Sequence, residues 1–187
     1  MSFPLPQLAS ALLGQSNDVR DIPDVPDFAV SGWLATVTEQ VLALLATASP
    51  VTGAPGSFTT QGYTHLLLHD ALPGGATAYL RLPAGNLTTP RPLTDTTVVV
   101  TLAGNVILES YRHQQDVDDN APQYRHHFGP ENVFACHAGG ICTTESTGDS
   151  VQLLLARSRL TPAGMALTPG QYADAVADAR ALLGGAA

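Results

Sequence analysis

Tyr63, His65 and His69 fall at alternating positions of the segment YTHLLLH, so an extended backbone would turn all three, with Leu67, to one side. A general base and a phenol would then share a wall, either of a cavity or of the contact between a sheet and a helix. His126 and His127 are neighbours and on a strand would point to opposite faces, so only one can join His137 and Cys136 around a metal. Otherwise both are half-exposed strand residues. Cys136 and Cys142 flank HAGGI, a stretch flexible enough to bring them close. They form a redox pair, supply a nucleophile beside His137, or pack as two small apolar groups. Arg91 lies between Pro90 and Pro92, which hold its backbone extended and remove two amide donors. If buried, its guanidinium must meet a carboxylate of the protein, such as Glu109, or a carboxylate or phosphate of a ligand; otherwise it reaches solvent. These residue types give His65, His137 and Tyr63 as candidate catalytic groups and Arg91, Arg81 and His69 as candidate ligand-binding groups. No metal is expected; if one is bound, its ligands come from His137, His127 and His126. Asp116, Asp118 and Asp119 lack the Gly and the terminal Glu of a calcium loop and read as a solvated hairpin loop.

The chain that must position these groups has 187 residues, 44% of them hydrophobic, which suits one domain with a full core. Sixteen acidic residues face eight basic ones, all Arg, for a net charge of −8. That balance argues against nucleic acid or an anionic membrane as partner and favours a small molecule or another protein. No stretch resembles a signal peptide or a membrane span, so a cytoplasmic location is expected, where two cysteines stay reduced.

Leu5, Leu8 and Leu12 recur at helical spacing between Pro6 and Gly14, and residues 15–30 are too rich in Pro and Asp to continue a helix. With Ser31 as N-cap, Trp33, Leu34, Val37, Val41, Leu44 and Leu45 predict a second helix ending before Pro50. After residue 62 the period becomes alternating. Strands are predicted at Tyr63–His69, Thr77–Leu82, Thr97–Leu102, Val106–Tyr111, Gln123–Phe128, Val133–Cys136 and Ser150–Arg157. The third and last of these carry apolar runs with little alternation, which predicts central positions buried on both faces. Thr168 and Gln171 form a capping box before a closing helix with Tyr172, Val176, Ala179 and Leu183 on one stripe. The predicted architecture is mainly β: a sandwich or barrel, with a jelly roll among the usual solutions, preceded by two helices and followed by one.

Gly85 to Gly104, GNLTTPRPLTDTTVVVTLAG, resembles the spacing of the first cupin motif, with Arg91, Leu93 and Thr97 in the slots of its metal ligands. GPENVFACHAGGICTT, from Gly129 to Thr144, stands where the second motif is expected; Gly129 matches, and a shift of three residues brings His137 to the ligand position. The layout from Gly62 to Arg157, with a Tyr-containing first strand, is similar to that of the thiol dioxygenases among the cupins. That resemblance implies a single-domain cupin barrel over 60–158 and, in the family, non-haem iron held by three histidines. Here Arg offers no lone pair and Leu no donor atom, and one imidazole does not retain iron. The reading is therefore a cupin that binds a small, anionic organic ligand without the family metal and without another cofactor, with acid–base turnover as an added possibility. The alternatives are an iron-dependent thiol dioxygenase with rearranged histidines and a non-catalytic homodimer.

Overall fold

A computed structural model describes Leu5, Ala9 and residues 32–60, 62–72, 76–84, 91–92, 96–130, 132–160 and 164–185, with the backbone alone for Arg91 and Pro92. The predicted linker and most of the first predicted helix lie outside these residues; Leu5 and Ala9 are helical and buried. Helix α1 (Trp33–Ala46) buries Trp33, Val37, Val41 and Leu45, the stripe that the spacing predicts. Its N-cap is Gly32 at φ 103 rather than Ser31. A short helix α2 (Pro50–Gly53) leads into the strands β1 (Phe58–Thr60), β2 (Tyr63–His69), β3 (Thr77–Pro83), β4 (Arg91–Pro92), β5 (Thr97–Ala103) and β6 (Val106–Tyr111). Helix α3 (Gln114–Asp118) follows, then β7 (Tyr124–Phe128), β8 (Val133–Cys136), β9 (Ile141–Ser146), β10 (Val151–Ala156), β11 (Met165–Ala166) and helix α4 (Pro169–Gly184).

The strands form a seven-stranded sheet, β11-β1-β2-β3-β10-β5-β8, and a four-stranded sheet, β4-β9-β6-β7, antiparallel throughout. The order β3-β10-β5-β8 facing β4-β9-β6-β7 is that of an eight-stranded jelly roll, and β2, β1 and β11 extend its larger sheet. Strands β10 and β5 are central, as their apolar runs predict, and every residue of β10 is buried.

Alternation divides the large sheet between two cores. Leu66, Leu80, Val98, Val100, Leu153 and Leu155 face the helices together with Val41, Tyr172 and Leu183. Leu67, Tyr79, Val99, Leu154 and Phe134 face inward, against Val106 of the small sheet. Helix α4 is fixed by the predicted capping box, with Thr168 Oγ1 accepting from Gln171 N–H. The chain crosses from β5 into the small sheet at Gly104, where φ is 67 and a Cβ would lie 2.6 Å from Ser150 Cα, so only glycine suits the turn.

Asp116, Asp118 and Asp119 lie in the connection of the β6–β7 hairpin, as expected, with Asp118 and Asp119 exposed, and that connection contains a capped helical turn in which His113 N–H donates to Asp116 Oδ2 at 2.9 Å. Two sequence expectations are corrected here. The flexible stretch expected to link the cysteines ends at 140, because 141–146 is a strand paired on both sides. Strand β2 carries a bulge between Leu67 and His69, where two residues occupy the register space of one. Leu68 keeps the helix-side face that alternation gives it, and the extra residue sets His69 opposite Ala78 on that same side, exposed and away from Tyr63 and His65.

Candidate functional site

The apolar runs of the three adjacent strands β3, β10 and β5 are each broken by a polar residue whose side chain faces inward: Arg81 in TAYLRLP, Gln152 in VQLLLA and Thr101 in TVVVTLA. Their registers coincide, since Gln152 pairs with Arg81 on one side and with Thr101 on the other. His65 on β2 pairs with Arg81 and extends the row to four. The result is a polar belt across the inner face, with His65 and Arg81 only 7% and 9% exposed and Gln152 and Thr101 fully buried.

Arg81 Nε donates to Gln152 Oε1 at 2.7 Å, a second bond runs from Nη2 to the same oxygen, and the guanidinium carbon stands 4.3 Å from the centre of the Tyr63 ring. Gln152 Nε2 donates to Ser146 Oγ at 2.8 Å, and Ser146 Oγ lies 2.6 Å from Tyr63 Oη, which also donates to Thr144 O at 3.2 Å. Tyr63, Ser146, Gln152 and Arg81 thus form a closed circuit joining the two sheets. It leaves three of the five guanidinium N–H groups, among them both on Nη1, without a partner among the described residues. No described carboxylate pairs with Arg81: the described ion pairs are Arg125 with Glu109 at 3.4 Å and Arg159 with Asp70 at 3.6 Å, both away from the belt. Thr101 Oγ1 is also buried, with no hydrogen-bond partner among the described residues.

His65 stacks on Phe58, with ring centroids 4.7 Å apart and planes 9° from parallel, and Tyr63 meets it edge-on. Both side chains therefore line the barrel rather than the contact with a helix. Tyr63 spends its hydroxyl on Ser146 and Thr144, so it positions Arg81 and ties the sheets together. His69 lies on the other side, beside a cleft of about 310 Å³ between α1, α4 and β2. His137 follows β8 at the far margin of the large sheet, with β3, β10 and β5 intervening between β8 and β2. His126 takes the inner side of β7, within 6.0 Å of Tyr124 and of Phe128, and His127 the outer side; both are exposed on an edge strand. Arg91 pairs through its backbone with Cys142, and its side chain lies outside the described residues. Glu109, offered as an internal partner for Arg91, pairs with Arg125.

Gln152, Ser146, Thr144 and Thr101 were not singled out from the sequence. The signal for two of them was present, because a lone polar residue inside a fully apolar central strand is costly unless it has a partner or a purpose.

The donor set does not fit the three-histidine iron site that the cupin resemblance implies. Thr97 faces Cys136 across the β5–β8 pair, Leu93 lies outside the described residues, and the candidate histidines are divided among β2 (His65, His69), β7 (His126, His127) and the end of β8 (His137). Among the described residues no three His, Cys, Asp or Glu side chains come together as metal ligands.

No protein-family model matches the sequence, and no curated protein matches it. Solved structures do align with it. A structure of the DMSP lyases RdDddP and RnDddQII aligns with a TM-score of 0.40 and 11% identity over 55% of this chain and 49% of that one. The oxalate decarboxylase of Lactobacillus farciminis, as a formate complex, gives 0.44 and 9% over 61% and 33%. A cupin superfamily protein from Desulfitobacterium hafniense DCB-2 gives 0.32 and 13% over 43% and 64%. The chain thus spans less than two thirds of each of these proteins. The likeness is one of fold, and the activities in those names belong to those proteins; the jelly roll is defined here by the strand order itself. Among the described residues no single helix is long and apolar enough to cross a membrane.

Proposed function

We propose that the barrel binds a small organic anion, with Arg81 as its anchor. One observation carries this reading: a guanidinium 9% exposed, facing the interior, has a neutral amide and an aromatic ring as partners and no carboxylate among the described residues. Holding a cation out of water costs several kcal/mol unless a counter-charge is supplied, and a ligand carboxylate, sulfonate or phosphate supplies it in the fork geometry that Arg offers. Gln152 and the face of Tyr63 hold the guanidinium in place, so little ordering remains to be done when the ligand arrives. Thr101 adds an inward hydroxyl. His65, directly across from Arg81 in register, is the group placed to exchange a proton with the bound anion if the barrel also turns it over.

The test is a panel of small carboxylates, sulfonates and phosphates titrated into the wild type and into Arg81→Met, followed by thermal shift and calorimetry. At least one class of anion should stabilise the wild type, and the variant should lose that binding by about 2–5 kcal/mol, the scale of a desolvated charge pair. If no anion stabilises the wild type, or the variant responds equally, the reading is wrong. An iron-dependent thiol oxidation would require ligands that the described residues do not bring together; elemental analysis of the purified protein tests it directly.

A further inference from the structure

Strands β8 and β9 belong to different sheets, yet only residues 137–140 separate them. The link is tight: Gly140 N–H bonds to His137 O at 3.0 Å, and Gly139 takes φ 81. Cys136 closes β8 and packs against the inner apolar core beside Phe134. Cys142 is the second residue of β9, in register with Ser110 on one side and Arg91 on the other. The turn folds the two strand ends together and brings the two thiols within reach of each other. Neither is in a disulfide, and both are half-buried.

We propose that Cys136 and Cys142 are a reversible dithiol–disulfide pair within the barrel, oxidised by a small disulfide such as glutathione disulfide. The Cys142 thiolate attacks one sulfur of the oxidant, forming a mixed disulfide and releasing one glutathione thiolate. Cys136 then gives up its proton, attacks the Cys142 sulfur and releases the second glutathione thiolate. Two electrons pass from the cysteines to the oxidant, and the two protons lost from the thiols end on the two glutathiones. The order of attack follows from the contact between the thiols. The neighbouring Cys142 thiol is the largest influence holding the Cys136 thiol well above its ordinary pKa; burial adds to it, and the charge of Arg81 opposes it. Cys136 therefore keeps its proton, which leaves Cys142 as the first nucleophile.

The experiment uses the full chain, reduced and then exposed to excess glutathione disulfide, with intact mass and maleimide uptake as readouts. The wild type should become lighter by two hydrogen atoms, stop taking up maleimide and recover both thiols with dithiothreitol. Cys136→Ser should stop at a glutathione adduct on Cys142, formed roughly tenfold or more faster than any adduct on Cys136 in Cys142→Ser. Accumulation of glutathione adducts on the wild type, a disulfide between two chains, or persistence of two maleimide-reactive thiols would each overturn the proposal. The wild-type mass decides the matter even if a serine variant fails to fold.

Discussion

In the ligand-free protein, Gln152→Leu should be far more damaging than Arg81→Met, although the second removes the charged residue. Gln152 Oε1 is the acceptor for two guanidinium N–H groups, and Nε2 holds Ser146. Leucine at 152 leaves a buried cation with the Tyr63 ring alone, and breaking a buried charge from its partner costs about 3–5 kcal/mol. For a domain of this length each kcal/mol moves Tm by about 2–4 °C, so the midpoint should fall by roughly 6–20 °C. Methionine at 81 loses a cation–π contact of about 2 kcal/mol and strands one amide oxygen at about 1–3 kcal/mol. It also removes the cation, whose burial costs several kcal/mol, so the net change should lie within about 2 kcal/mol of zero. Combining the two substitutions should recover most of the loss seen in Gln152→Leu alone. Thermal unfolding by circular dichroism on the three variants, without added anions, reads all of this. If Arg81→Met is destabilised as much as Gln152→Leu, or if the double variant shows the sum of the single losses, Arg81 is a structural cation already neutralised within the protein.

Val99→Asp or Leu154→Asp should abolish soluble expression, because each places an unpaired carboxylate in a fully buried central strand; near-native folding of either would contradict the assigned burial. Gly104→Ala should cost about 2 kcal/mol from its positive φ alone, with the approach to Ser150 added, whereas Gly148→Ala, which meets nothing within 4 Å, should be close to neutral in the same denaturant titration. Burial raises the phenol pKa of Tyr79 above its ordinary value. Its contribution to stability is therefore fully present below about pH 10, where both states are protonated, and is lost as pH rises through the raised folded value. Tm measured across that range should fall more steeply for the wild type than for Tyr79→Phe, and equal slopes would refute the assignment.

Much of the scaffold was readable because burial on two faces leaves an uninterrupted apolar run and burial on one leaves an alternation. Thus β2, β6 and β8 begin and end where the pattern predicts, and β5 and β10 are central. Strand β9, ICTTES, escaped because its residues are mostly polar and its order comes from pairing on both sides with β6 and β4. Strands β1 and β11 are too short to show a period. In the site, the motif frame pointed to Arg91 as the inward arginine, while the described arginine that faces inward is Arg81, the other arginine among the candidates, on the strand before Arg91. The likeness of His65 and His69 failed for a local reason. A bulge in LLLH carries no residue signature, yet it reverses the direction of every side chain beyond it.

The hydrogen-bond circuit also has a direction. An amide nitrogen can only donate and a carbonyl oxygen can only accept, so Gln152 Nε2 at one end and Thr144 O at the other set the orientation of both hydroxyls: Ser146 must give its hydrogen to Tyr63. Exchanging a single NH2 for an oxygen, as in Gln152→Glu, would turn that donor into an acceptor and leave one hydroxyl in the relay facing the wrong way. The same exchange would give Arg81 a resident counter-ion. An arginine left with a neutral amide and one that meets a resident carboxylate are thus separated by one functional group, and on the proposed reading it is the amide that leaves room for a visiting anion.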